Sequence, residues 1–251
     1  MNRSLVITNR KRSVISTVLL IRRWMMIGAV ALAATVPLTA QNTDLNADLQ
    51  QKFAAVKQSA AENQQKLRQY HWIETTELML KGEAKPPRES LCHYGPNETV
   101  QETPIGVQPQ PPGGLKGKIV EKKMEEMQQY MGELHSLLAK YVPPDPQKMQ
   151  QAYQAGKFAL NPVGTVVNLV FTDYAQPGDR MTLTFDTAAK KITTVHVNTY
   201  MGKATDTVTL QVQMASLPDG TDYAQQTVLY AAAKKLQVTT TNSDYQKLGG
   251  H

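Results

Sequence analysis

Any chemistry in this chain would have to be assembled from a short supply of reactive side chains. It has five histidines, His71, His93, His135, His196 and His251, and one cysteine, Cys92. No two histidines sit at helical ligand spacing, and neither His-x-x-x-His nor Cys-x-x-Cys occurs, so no metal site is written locally. His71 and His93 fall on neighbouring predicted strands, where a metal would need a strand pairing that the sequence alone does not show. Cys92 and His93 are neighbours on a strand and point to opposite faces, which rules them out as a thiol–imidazole pair. Glu74 and Glu77, an odd step apart on one strand, are separated in the same way. There is no Gly-x-Ser-x-Gly. Gly113-Gly-Leu-Lys-Gly117 lacks the spacing of a phosphate loop and does not follow a strand. Asp173, Asp179, Asp186 and Asp219 sit at predicted turns, where aspartate bonds its own backbone. The reading is of a protein that is not an enzyme and carries no cofactor or metal. A lone cysteine is most often a small buried hydrophobe, the expected fate of Cys92.

What remains is a surface for binding. Met124, Met127 and Met131 share one helical stripe with Leu134, and Met149 follows in the next helix. Flexible thioethers suit core filling, and they also suit a deformable lid over an apolar cavity. Met124, Met127, Met131, Leu134 and Trp72 are the candidate ligand-binding residues.

The elements that must position them follow from hydrophobic period. Asp44–Gln69 carries Leu45, Leu49, Phe53, Val56, Ala60 and Leu67 on one stripe and reads as an amphipathic helix. Tyr70–Leu80, Arg88–Gly95 and Thr99–Pro104 read as a meander of strands. Thr103–Gly114 holds four prolines and three glycines and reads as a loop that joins no ladder. Val120, Met124, Met127, Met131, Leu134, Leu138 and Tyr141 repeat every 3.5 residues, which predicts a second helix stopped by Val142-Pro-Pro-Asp-Pro146. Asp145 or Pro146 opens a shorter helix through Gly156. From Thr165 onward, apolar residues alternate with polar ones between turns such as Leu217-Pro-Asp-Gly-Thr221. Eight or nine strands joined by tight turns predict an antiparallel sheet.

The fold class is therefore α+β: one curved antiparallel sheet, a half-open barrel, with an N-terminal helix and an inserted helical hairpin on its concave side. With this element order over residues 44–248, with Tyr70-His-Trp ahead of Glu74 and Glu77, Phe185-Asp186 before a turn and Asn242-Ser-Asp-Tyr245, the chain resembles the LolA/LolB-like lipoprotein-carrier superfamily. The resemblance implies a half-open barrel with a helical lid and a periplasmic carrier role. It carries over no residue role.

The first forty residues bear on the compartment. Arg3, Arg10, Lys11, Arg12, Arg22 and Arg23 precede the apolar run Met25–Ala34, and Thr35-Val-Pro-Leu-Thr-Ala40 gives a small-residue exit. This reads as a signal peptide, residues 1–40, followed by a single domain over 41–251. The chain has 27 basic and 21 acidic side chains, and the leader takes six of the bases and none of the acids, so 21 of each remain. A neutral domain offers no basic face for nucleic acid. The expectation is an exported, periplasmic or secreted protein, membrane-tethered where the leader is retained. It would bind an apolar ligand (lipid, acyl chain or lipoprotein) with transient membrane contact. The alternative is an envelope sensor or adaptor that binds another protein and has no ligand cavity.

Overall fold

The computed structural model describes residue 58 and residues 61–96, 99–106, 115–142 and 144–249, with side chains described from residue 125 in the helix that starts at Leu115. The leader, most of the expected helix Asp44–Gln69, the loop over 107–114 and the side chains of Val120 and Met124 lie outside the described residues.

Helix α1 is described over 61–67 and ends where the period changes at Tyr70. The first meander is β1 (Tyr70–Leu80), β2 (Glu83–Ala84), β3 (Arg88–Tyr94) and β4 (Val100–Ile105). The hairpin is α2 (Leu115–Leu138) and α3 (Pro146–Gln154). The second meander is β5 (Phe158–Val163), β6 (Val166–Thr172), β7 (Arg180–Asp186), β8 (Lys191–Tyr200), β9 (Thr207–Ser216), β10 (Asp222–Ala231) and β11 (Leu236–Lys247). The strands form one eleven-stranded sheet in the order β4-β3-β1-β11-β10-β9-β8-β7-β6-β5, with β2 on the end of β1. All pairs are antiparallel. The sheet is open, and the two meanders join through β1 and β11.

Eleven strands replace the eight or nine expected. The additional ones are β2, only two residues long, and β5, whose Leu160-Asn-Pro-Val163 gives no alternation. The proline-rich segment also departs from expectation at its start: Pro104 lies within β4, opposite Ser90. Both exceptions have one cause. β4 and β5 are the two edges of the sheet, where a strand can spare the missing proline N–H. Pro104 and Pro162 thus each occupy an edge strand and blunt it against further pairing.

The core lies between the hairpin and the second meander. Met131, Leu134, Leu138 and Tyr141 pack against Phe171, Met181, Leu183, Val197, Leu210 and Leu229, all buried. Over its described part, Met127 to Tyr141, the helical stripe read from sequence faces this core, and the alternating strand residues supply the opposite wall.

One polar group fixes the hairpin to the sheet. The buried Asp179 carboxylate accepts the backbone N–H groups of Tyr174 (2.6 Å), Ala175 (2.9 Å) and Gln176 (2.8 Å). It also accepts the Tyr141 hydroxyl at 2.5 Å, and that oxygen lies 2.7 Å from the Thr199 hydroxyl. Burial, then the bond to Asp179, pushes the Tyr141 phenol far above its ordinary range. At α3, the Asp145 side chain caps Gln147 N–H at 2.8 Å with Pro146 in the first turn.

Candidate functional site

Register decides which side chains face the helices. Along β1 and β11 the paired rows on that face run Leu80 with Leu236, Leu78 with Val238, Thr76 with Thr240, and Glu74 with Asn242. Thr240 continues the third row to Thr227 in β10. The concave face therefore changes character within these strands, from aliphatic to hydroxyl to carboxylate and amide. Across β7, β8 and β9 the same face stays apolar through Met181, Leu183, Val195, Val197, Val208 and Leu210.

Two bulges reshape the polar end. In β11 the register slips between His71 and Ile73 on the partner strand, and Asp244 takes a left-handed φ of 53°. Asparagine and aspartate tolerate that region better than other side chains do. Even-numbered β11 residues face inward up to Asn242. The extra residue then lets the odd-numbered Tyr245 face the same side, where it stacks on Trp72 at 5.4 Å and 12° between planes. In β10 the register slips between Ala224 and Gln226, and Asn242 Nδ2 donates to the Ala224 carbonyl at 2.7 Å. Such bulges re-aim side chains and bend the strand. Tyr223, beside the second bulge, sits 4.5 Å from Tyr245, and Tyr94 sits 5.5 Å from Trp72.

These groups surround a cavity of about 110 Å³. Its aromatic end is Trp72, Tyr94, Tyr223 and Tyr245, its polar wall is Glu74, Asn242, Thr227 and Thr240, and its floor is Leu210, Leu229 and Val238. Leu67 of α1 and His135, Leu138, Ala139 and Val142 at the end of α2 close it. Glu74 is only 4% exposed, and the Thr76 hydroxyl donates to its Oε1 at 3.4 Å. His135 Nε2 is buried and makes no hydrogen bond among the described residues, so it is available to a bound molecule. Among the described residues the arrangement is an apolar hollow with aromatic side chains at one end and a polar wall that includes the buried Glu74.

Below the aromatic end, the Tyr70 hydroxyl donates to Asp219 Oδ2 at 2.5 Å, and Lys247 Nζ lies 3.3 Å from the same oxygen. The hydroxyl bond, ahead of the other contacts, holds the Asp219 carboxyl far below the usual range. Burial, then that bond, raises the Tyr70 phenol.

The residues picked from sequence fall in different places. Trp72 lines the cavity. Met131, 1% exposed, and Leu134 belong to the core, and Met127 packs against it half-buried. The side chain of Met124 lies outside the described residues. Glu74, buried inward, and Glu77, exposed outward, lie on opposite faces as their spacing predicts. His71 and His93 are direct cross-strand partners on the face away from the cavity, and His71 Nε2 meets Gln246 Oε1 at 3.3 Å. Among the described residues, no three His, Cys, Asp or Glu side chains come together in a way that could hold a metal ion. Cys92 is fully buried opposite Trp72. Sequence reading missed Glu74, Tyr94, Tyr223 and Tyr245 as neighbours. The only local signal was Asn242-Ser-Asp-Tyr245, which breaks the alternation of the preceding strand residues.

No helix among the described residues is long and apolar enough to cross a membrane. No family model and no curated protein matches the chain. Solved structures similar in fold include a putative outer membrane lipoprotein-sorting protein domain from Vibrio parahaemolyticus, 13% identical with a TM-score of 0.32, covering 76% of this chain and 92% of that one. A LolA superfamily protein from Nitrosomonas europaea is 9% identical with a TM-score of 0.35, covering 77% and 94%. A DUF1329 family protein from Desulfovibrio piger is 6% identical with a TM-score of 0.37, covering 80% and 94%.

Proposed function

We propose that this protein is a non-catalytic binding protein for an apolar or amphipathic ligand, an acyl chain or lipid, held between the sheet and the end of α2. The observation that carries the reading is the cavity of about 110 Å³ on the concave face, with aliphatic floor and roof. A concave, largely apolar hollow with a few converging polar groups is the usual form of a small-molecule site. Its volume is below the roughly 300–1,000 Å³ of sites that enclose drug-sized ligands. It takes the end of a chain as it stands, and a longer chain requires α2 to shift on the sheet. The two methionines described on α2 flank that movement, Met131 in the core and Met127 at its margin. The basic and then apolar leader over residues 1–40 supports a site of action outside the cytoplasm.

Native mass spectrometry after gentle purification tests the proposal, with displacement of a fluorescent acyl probe as the second measurement. Co-purifying lipid that the probe displaces is the expected result. Absence of lipid together with no probe binding overturns it. A cross-linked protein partner under those conditions then favours the adaptor reading.

A further inference from the structure

The two ends of the sheet carry their charge differently. Apart from the cavity and its ligand, we infer that the end where β1, β8 and β10 finish is a docking surface for an anionic phospholipid bilayer. Three observations carry this. First, strand register gathers three turns there. Leu80 pairs with Leu236, Leu236 with Ala231, and Ala231 with Val208, in one row. The Lys81-Gly82 turn, the 3₁₀ turn Ala232–Lys234 with Lys235, and the β8–β9 turn over 201–206 therefore leave the sheet side by side. The Lys81 N–H donates to the Lys235 carbonyl at 2.8 Å and ties two of them together.

Second, these turns, taken with β2 and Lys85, hold five lysines, Lys81, Lys85, Lys203, Lys234 and Lys235, against two acids, Glu83 and Asp206. All five lysines are exposed. Lys85 takes Glu83 at 2.9 Å, and Lys234 lies over the Tyr130 ring at 5.4 Å. The side chains of Lys81, Lys203 and Lys235 make no hydrogen bond or ion pair among the described residues. At the opposite end the turns hold aspartates, and Lys191 and Lys247 are paired with Asp222 and Asp219. Third, apolar groups stand beside the free lysines. Met79 and Tyr230 both pair with Gln237 and are 42% and 41% exposed. They lie on the face of the sheet away from the helices, one row from Glu77. Tyrosine and lysine place an apolar body at a bilayer boundary and a polar tip among the headgroups. An anionic surface attracts each lysine that comes within about a Debye length of it. A site of action outside the cytoplasm, which the leader supports, offers such a surface and no nucleic acid.

Co-sedimentation of the full chain with vesicles tests this, using phosphatidylcholine alone and phosphatidylcholine with one-third phosphatidylglycerol. Binding is expected to the anionic vesicles, and it should fall as salt rises from about 0.05 M to about 1 M, where the screening length shrinks to about 3 Å. Lys81→Gln combined with Lys235→Gln is expected to weaken that binding about tenfold or more at an unchanged melting temperature. Lys203→Gln, in the neighbouring turn, is expected to act in the same direction and serves where the double variant melts early. Tyr230→Ser is expected to lower binding at every salt concentration, because it removes a boundary contact that salt does not screen. Lys190→Gln is the matched control: Lys190 is exposed, shares the left-handed backbone of Lys81 and Lys235 with a φ of 53°, and lies at the opposite end. It should leave binding unchanged, and the leader is common to every variant. Equal binding by the unmodified chain and the lysine variants overturns the inference. So does a loss in Lys190→Gln as large as theirs, which would mean diffuse attraction. Binding of polyglutamate without binding of the anionic vesicles assigns this end to an acidic protein and overturns the bilayer reading. The cavity is untouched by these outcomes, since its acyl probe is measured without vesicles.

Discussion

Asn63 bonds both backbone groups of Asp222 with one side chain: its Nδ2 donates to the Asp222 carbonyl at 2.6 Å, and its Oδ1 accepts the Asp222 N–H at 2.6 Å. The amide thereby stands in for the backbone of a neighbouring strand at the start of β10 and ties α1 to the sheet. Leu67, one helical turn further on, reaches the cavity from that anchored helix. Asn63→Ala should lower stability by about 1–3 kcal/mol, because two partly buried backbone groups lose their partner. Asn63→Asp should recover little, since it cannot donate to the carbonyl. Urea unfolding of the three proteins checks both.

Asp179 should be the most sensitive polar position. Its carboxylate takes three backbone N–H groups and the Tyr141 hydroxyl. Asp179→Ala should cost about 3 kcal/mol or more, and Tyr141→Phe about 1–2 kcal/mol. The double variant should cost less than the two summed, because the residues share one bond. Chemical denaturation of the four proteins measures that coupling.

Asp244 tests how the aromatic end is built. Its φ of 53° suits glycine and penalises a β-branched side chain. Asp244→Gly should leave stability and the Trp72–Tyr245 stack intact. Asp244→Val should cost about 1–2 kcal/mol and loosen the stack. Near-ultraviolet circular dichroism reports the ring geometry, and melting curves report the cost.

Ala139 lines the cavity from the turn after α2. Ala139→Leu places a side chain where a ligand tail would lie. Binding of the acyl probe should fall at least tenfold while the melting temperature holds, since the added bulk enters a hollow and not a packed wall. Loss of fold together with binding would mean that Ala139 is packed against its neighbours.

Acid should unlock the base of the site. The Asp219 carboxyl is held low in the folded chain by the Tyr70 hydroxyl, by Thr221 and by Lys247. A depressed folded value means that the unfolded chain binds the proton first. The stabilisation is therefore present above the ordinary carboxylate value near 4 and is lost as pH falls from about 4 through the folded value. Asp219→Asn should flatten that part of the stability–pH curve, measured by denaturation between pH 2 and pH 6.

Much of the scaffold was legible because period and turn chemistry agree. The strand Tyr70–Leu80 has its expected bounds, and the hairpin lies between two groups of strands. The legible parts stop where meaning depends on partners. Nothing near Leu160-Asn-Pro-Val163 shows that its proline sits on an edge, because edges exist only once the strand order is known. The methionine stripe was readable as a buried face, but a stripe does not say whether its cover is solid or hollow. Glu74 and Asn242 are 168 positions apart in sequence, so their pairing could not be read locally.

That same pairing sets the order in which the protein can be made. β1 takes one long partner from its own meander, β3, and the other, β11, from the far end of the chain. Until β11 emerges, a strand in the middle of the sheet has one side bare. The β6–β10 meander pairs near neighbours and can form early, whereas β1, β3 and β4 wait for a contact of very high sequence separation, which makes for slow closure. In a chain synthesised from its N-terminus, the half that bears Trp72 and Glu74 emerges first and is completed last. A factor that holds the unfinished chain would find its target there, on β1, and would release it when β11 docks.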